Sequence, residues 1–259
     1  MKIVLIGAGR LATHLAKALY KAKHEIVQVY SRTVESAVQL AQLVDAEPIT
    51  EISEITDLAN LYIMAVKDDA LPTLIPQVGE IAKNKVVVHT AGSIPMSVFD
   101  CYADHYGVFY PMQTFSRERE VNFSEIPCFL EASDNQALEL IEQVATSVSQ
   151  KVYCLSSEQR RYLHLAAVFA CNFVNHCYAL AAHIMESHGM TFDMLLPLID
   201  ETARKVHNIH PLKAQTGPAI RYDENIINKH LSLLTDSPDL ANIYESMSKS
   251  IHKTSIDND

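Results

Sequence analysis

The sequence predicts an α/β fold in which a mostly parallel sheet is followed by an all-helical C-terminal domain. Three observations predict it. Short β-branched runs alternate with helical stretches through the first half of the chain. A Gly-x-Gly-x-x-Ala turn, residues 7–12, follows the first of those runs directly. Beyond about Leu155 the spacing of apolar residues is helical and no convincing strand can be read. Alternation of strand and helix places helices on both faces of a parallel sheet.

Taken in order, the expected strands cover 2–6, 25–30, 61–66 and 86–89, followed by 106–110, 128–131 and 152–154 of the same sheet. The helices between them are expected over 10–21, 33–43, 69–83 and 135–147. Ser156 is a good N-cap for a helix over 157–187, and His188-Gly189 supplies its stop. Further helices are expected over 192–208, 224–234 and 240–248, with a polar tail, 254–259, that frays. The domains divide as 1–155 and 156–259.

Composition narrows the function classes. Of 259 residues, 48% are hydrophobic and 20% charged, the balance of a protein with a proper core. A formal net charge of −10 argues against nucleic acid as a nonspecific partner. The run Ile3-Val4-Leu5-Ile6 follows Met1 without a basic region or a cleavage site, so no signal peptide is expected. Five cysteines, an odd number with no C-x-x-C pair, fit a reducing cytoplasm. Residues 162–185 hold no Asp, Glu, Lys or Arg, yet His164, Asn172, Asn175, His176 and His183 are costly in hydrocarbon. The expectation is therefore no membrane span but a helix buried at a domain or subunit interface, with homodimerisation through the helical domain.

The turn carries the chemistry. Gly7-Ala8-Gly9-Arg10-Leu11-Ala12, after a buried strand and opening a helix, is the fingerprint of a Rossmann-type dinucleotide site. The first glycine permits the turn, the second lets the backbone approach a pyrophosphate, and Ala12 lets the helix pack on the sheet. Free N–H groups at the helix start attract the phosphates. Where NAD enzymes place an acid at the end of the second strand, this chain reads Tyr30-Ser31-Arg32-Thr33. Arg32 can grip a 2′-phosphate and the hydroxyls of Ser31 and Thr33 can donate to it, which selects NADP(H). The other reading makes Thr33 an N-cap and Arg32 a solvated charge. Ala65, Val66 and Lys67, at the end of one later strand, and Thr90 and Ala91, after the next, are expected to edge the cofactor, Lys67 being equally readable as a solvated loop charge.

Four stretches give the chain a resemblance: residues 7–12, residues 110–115 (Tyr110-Pro111-Met112-Gln113-Thr114-Phe115), residues 164–173 and residues 215–223. On these it resembles a family of bacterial NADP oxidoreductase-like proteins whose helical C-terminal domain has no assigned function. More distantly it is similar to pyrroline-5-carboxylate reductases, ketopantoate reductases and β-hydroxyacid dehydrogenases. The resemblance implies a substrate between a Rossmann domain and a helical domain, and pairing through the helical parts. In β-hydroxyacid dehydrogenases a catalytic Lys on the long helix precedes an Asn by one turn. Asn172 matches that Asn, but Val168 stands at the Lys position. His164 is then the nearest proton donor, although a buried or interfacial histidine is the plainer alternative.

A straight helix turns about 100° per residue, which sets His164 beside Asn175 and puts Asn172 on a second face. Gln113, Thr216 and Arg221 are candidates for the polar end of a substrate, with Arg221 able to clamp a carboxylate. Asp223 reads as an N-cap. His207 and His210 precede Pro211 without a zinc motif, so no metal is expected, and no G-x-S-x-G elbow or phosphate-binding P-loop is present. The sum is a reductase transferring hydride from NADPH to a small 2-oxo acid or C=N substrate, with His164 and Asn172 catalytic. A coenzyme-binding sensor without turnover is the alternative.

Overall fold

In a computed structural model the described residues are 1–116 and 119–257. The chain divides into two compact units, Met1–Cys171 and Asn172–Asp259.

The first unit is built on one eight-stranded sheet. Its strands are β1 (Lys2–Ile6), β2 (Glu25–Tyr30), β3 (Glu47–Ile49), β4 (Leu61–Met64), β5 (Val86–His89), β6 (His105–Pro111), β7 (Cys128–Ala132) and β8 (Val152–Cys154). They lie in the order β3-β2-β1-β4-β5-β6-β7-β8. All neighbours pair in parallel except β6 and β7, so the last two strands run against the first six. The order turns at β1 and β4, and open α/β sheets take their ligands beyond the carboxyl ends of the strands at such a reversal.

The interleaved helices are α1 (Arg10–Lys21), α2 (Val34–Val44), α3 (Leu71–Ile81), α4 (Asn135–Val148) and α5 (Ser157–Ala167). Central strands have to be apolar on both faces, and β1 shows why. Ile3 and Leu5 point into a cluster with Leu15 and Leu19 of α1 and Ile141 and Val144 of α4. Val4 and Ile6, one residue out of phase, enter a second cluster with Leu71, Ile75 and Val78 of α3. A Cβ on Gly79 would collide with the Tyr102 backbone, so glycine is needed for α3 to lie against that loop.

The expected elements are present, with differences that have physical reasons. The edge strand β3 was not expected, because Glu47-Pro48-Ile49 is short and holds a proline, which suits only an edge. The fourth strand ends at Met64, leaving Ala65 and Val66 in the loop beyond it. The long helix is not uniform. After α5 it continues as a π-helical segment, Val168–Phe173, and then as α6 (Val174–Ser187). A wider turn changes the phase of every residue that follows, so the 100° count that set His164 beside Asn175 stops at Ala167.

The second unit is helical, and among the described residues no strand follows Cys154. Besides α6 it holds α7 (Leu196–Lys205), α8 (Pro211–Ala214), α9 (Glu224–Ser232) and α10 (Pro238–Ile256). Fraying from residue 254 is corrected, since α10 continues to Ile256. Its end is fixed by Ser255, whose hydroxyl donates to the Ile220 carbonyl at 3.1 Å, and by His252, which stacks on Tyr222 at 4.8 Å. Those contacts hold the turn before α9, where Gly217 has φ +105° and Tyr222 φ +49°. Asp223 caps α9 as expected, accepting from the Ile226 N–H at 3.3 Å.

Candidate cofactor site and active site

The turn between β1 and α1 has the form a pyrophosphate needs. Gly7 sits at φ +117°, and a Cβ there would run into the Ala65 carbonyl of the neighbouring loop. Its N–H donates to the Tyr30 carbonyl at 2.8 Å, which locks the turn to the end of β2. Gly9 is different. A Cβ on it meets nothing within 4 Å, so no protein atom demands glycine there. The open space lies at the N-cap of a helix with no acid in its first turn and no side-chain cap. That combination fits a bound phosphate group, which would occupy the space and accept from the free N–H groups.

The other expected cofactor residues lie on loops past the same sheet edge. Ser31, Arg32 and Thr33 follow β2, with Arg32 and Thr33 exposed. Thr33 is the residue before α2, and its hydroxyl donates to the Ser36 hydroxyl and accepts no backbone N–H of the helix, so its role as a cap is weak. Val66 and exposed Lys67 follow β4, and the buried Thr90 and Ala91 follow β5. The Thr90 N–H donates to the Met64 carbonyl at 3.2 Å, which ties these two loops together.

The loop after β5 is fixed from below by a group that sequence reasoning did not single out. His89 is fully buried, stacks on Phe99 at 5.6 Å and accepts the Ala91 N–H on Nδ1 at 3.1 Å. Burial, and then the nearby charge of Arg160, hold its pKa down at about 3, so it stays a neutral acceptor.

His164 reaches this loop from α5. A Cβ on Gly92 would fall on the His164 imidazole, nearest to Nδ1, so glycine at 92 lets the ring lie against the loop backbone. The same Nδ1 is 2.9 Å from the Tyr110 hydroxyl, and the two rings meet edge to face at 6.0 Å. Tyr110, at the end of β6, is 7% exposed. Its phenol is pushed up by burial first, while the positive charge of Arg160 pulls it down and Asp68 adds to the rise.

Helix α5 is held in register by a buried ionic cluster. Arg160, one turn before His164 and 1% exposed, pairs with Glu131 of β7 at 2.5 Å and donates to the Ile94 carbonyl at 2.5 Å. Ser157 completes it: its N–H and hydroxyl donate to Glu131 at 2.8 and 2.6 Å, and its hydroxyl accepts the Met96 N–H at 2.8 Å. Sheet, cofactor loop and helix thus meet at one guanidinium. The sequence offers no local sign of this, because Arg160-Arg161 reads as surface charge. Tyr110 lay in a stretch singled out for resemblance, but no role was assigned to it.

Gln113 is exposed beyond β6, its side-chain oxygen accepting the Thr114 N–H at 2.8 Å. Asn172, Thr216 and Arg221 belong to the second unit and are exposed there. Among the described residues no group of three or more His, Cys, Asp or Glu side chains is placed to hold a metal. A cavity of about 680 Å³ lies along α1 between Lys17, Lys21, Asn122 and Ser147, and none of the site residues lines it.

Comparison with known proteins agrees with this fold. A Rossmann-like domain model matches residues 1–111, and the model of the domain of unknown function DUF2520 matches residues 126–251. A crystal structure from Bacteroides fragilis, described as a "putative NADP oxidoreductase", is 56% identical, with 97% of this chain and 98% of that one covered and a TM-score of 0.93. A Thermotoga maritima protein is 20% identical over 98% of this chain and 99% of its own, with a TM-score of 0.79. An imine reductase from Myxococcus stipitatus in complex with NADP+ is 18% identical over 98% and 92%, with a TM-score of 0.64. No curated protein matches.

Proposed function

Because the chain belongs to the Rossmann-type oxidoreductase family whose C-terminal part is the DUF2520 domain, we propose that it is an NADP(H)-dependent reductase of a small, carboxylate-bearing 2-oxo acid or C=N compound. One observation carries the reading: an imidazole lies directly against the loop that follows β5, on the cofactor edge of the sheet. When bound, the dihydronicotinamide supplies the hydride. His164 supplies the proton that the carbonyl oxygen or imine nitrogen takes as its double bond is reduced. Gln113, exposed beyond β6, binds the polar end of the substrate. The name of the NADP+-bound imine reductase supports the C=N alternative, and the missing acid after β2 supports the phosphorylated coenzyme.

The test is loss of NADPH absorbance with a panel of 2-oxo acids and cyclic imines. Consumption with at least one compound is expected, and binding without turnover across the panel would instead indicate a coenzyme sensor. Calorimetry checks the coenzyme. Arg32→Ala should weaken NADPH by about 10–100-fold, the worth of a charge-assisted contact, and leave NADH unchanged. Equal losses for both coenzymes would remove Arg32 from the site.

We further propose that the protein is a cytoplasmic homodimer joined through the helix Ser157–Ser187. That helix is long and apolar enough to cross a membrane, and none of its most apolar window is buried within one chain. A face of that kind needs a cover. His176 and His183 and the five free cysteines suit a partner subunit in a reducing compartment better than lipid. Light scattering should give twice the chain mass without detergent. A monomer, or material soluble only in detergent, would overturn the proposal.

A further inference from the structure

We infer that Tyr110 is the proton reserve of His164, donating its phenol proton to Nδ1 while the opposite ring nitrogen, Nε2, delivers a proton to the substrate. The inference rests on the reductase reading above and adds to it a second proton-bearing group and a direction of transfer.

The geometry sets the direction. Nδ1 lies 2.9 Å from the Tyr110 hydroxyl and is also the ring atom nearest to where a Cβ on Gly92 would stand. That edge of the ring is taken, which leaves Nε2 for the reacting atom. A phenol donating to Nδ1 fixes the neutral imidazole as its Nε2–H tautomer, the form able to donate from the free edge. Alone, a neutral imidazole is a poor acid, because losing the Nε2 proton leaves an anionic ring. Taking a second proton at Nδ1 removes that obstacle. As hydride reaches the substrate carbon, the electron pair of the C=O or C=N bond moves to the heteroatom and accepts the Nε2 proton. The Tyr110 O–H bond breaks, a new N–H bond forms at Nδ1, and a phenolate remains until solvent returns its proton.

A phenolate in a buried place requires a cation, and one is built in. Arg160 is almost fully buried, and its charge is felt at Tyr110, where it favours the phenolate against the effect of burial. The Glu131 carboxylate neutralises part of that charge, and the guanidinium also donates to the Ile94 carbonyl. Phe129, whose ring lies 6.3 Å from Tyr110, gives the phenol an apolar neighbour.

The experiment compares full-length wild type, Tyr110→Phe and His164→Gln, each saturated with NADPH. Nitrogen-15 NMR of labelled histidine, with His164 assigned by its absence in the glutamine variant, reports the tautomer above the titration range of imidazole. The wild type should show Nε2 protonated and Nδ1 accepting a hydrogen bond, and Tyr110→Phe should move the Nδ1 shift downfield, toward that of an unbonded ring nitrogen. On whichever 2-oxo acid or cyclic imine the wild type reduces, Tyr110→Phe should lower kcat about 10–100-fold with the KM for NADPH unmoved. An unchanged Nδ1 shift in Tyr110→Phe, or a kcat within twofold of wild type, overturns the relay. His164→Gln at full activity sinks the donor assignment beneath it, so the two failures are told apart.

Discussion

Alanine at position 164 is expected to lower turnover by about 10²–10⁴-fold while NADPH binds as before. That range is the usual worth of a positioned general acid, equal to roughly 3–5 kcal/mol of barrier. Binding should survive because the pyrophosphate turn, the loop after β2 and the His89 prop under the loop after β5 are all independent of the imidazole. The hole left at position 164 is beside Gly92, where the native ring lies so close that even a methyl group on the glycine has no room. Gly92→Ala should therefore mimic the loss from the other side, by pushing the imidazole away from the loop. The check is calorimetry with NADPH set beside steady-state rates on the same preparations. A variant lacking the imidazole but turning over at the wild-type rate would move the proton donor elsewhere. A variant that binds no coenzyme would show that the ring holds the loop rather than serving the reaction.

The parts of this molecule that could be read in the sequence are those whose cause is local. The strand–turn–helix over residues 2–21 is set by neighbouring residues: apolar on both faces of β1, glycine where φ is positive, and Ala12 where helix meets sheet. The loop after β2 was legible for the same reason, as the absence of an acid is visible without a fold. His164 was found through the resemblance to β-hydroxyacid dehydrogenases, as the proton donor nearest to the Lys position that Val168 fills, on a helix that Ser156 caps as expected.

What stayed hidden depends on distant partners. Arg160 and Glu131 lie 29 residues apart, and neither carries a local mark of burial. The π segment has the same apolar composition as the α-helix around it, so periodicity could not separate them. The tail around Ser255 looked solvated because its anchor, the Ile220 carbonyl, is 35 residues away. Tyr110 presents one more aromatic at the end of a buried strand. Only the crossing of α5 over β6 shows that its hydroxyl meets a histidine.

The second large effect concerns the guanidinium where sheet, loop and helix meet. Arg160→Met should destabilise the chain by about 3–5 kcal/mol, the cost of leaving one member of a buried ion pair uncompensated. For a domain of this size that is a fall in Tm on the order of 10 °C. Glu131 would keep the two donors of Ser157 but lose its cation, and the Ile94 carbonyl would lose its partner. Replacing both charged residues distinguishes stability from function. Arg160→Met with Glu131→Leu removes the stranded carboxylate and should recover part of the lost Tm, since apolar replacements of buried pairs are often tolerated. Recovery stays partial because the Ser157 N–H and hydroxyl then lose their acceptor. Turnover should not recover with it. The double variant has no cation beside Tyr110 and no fork fixing α5 one turn before His164, so a chain with much of its stability restored would still reduce its substrate slowly. Should the rate return with the melting temperature, the cluster serves the fold alone.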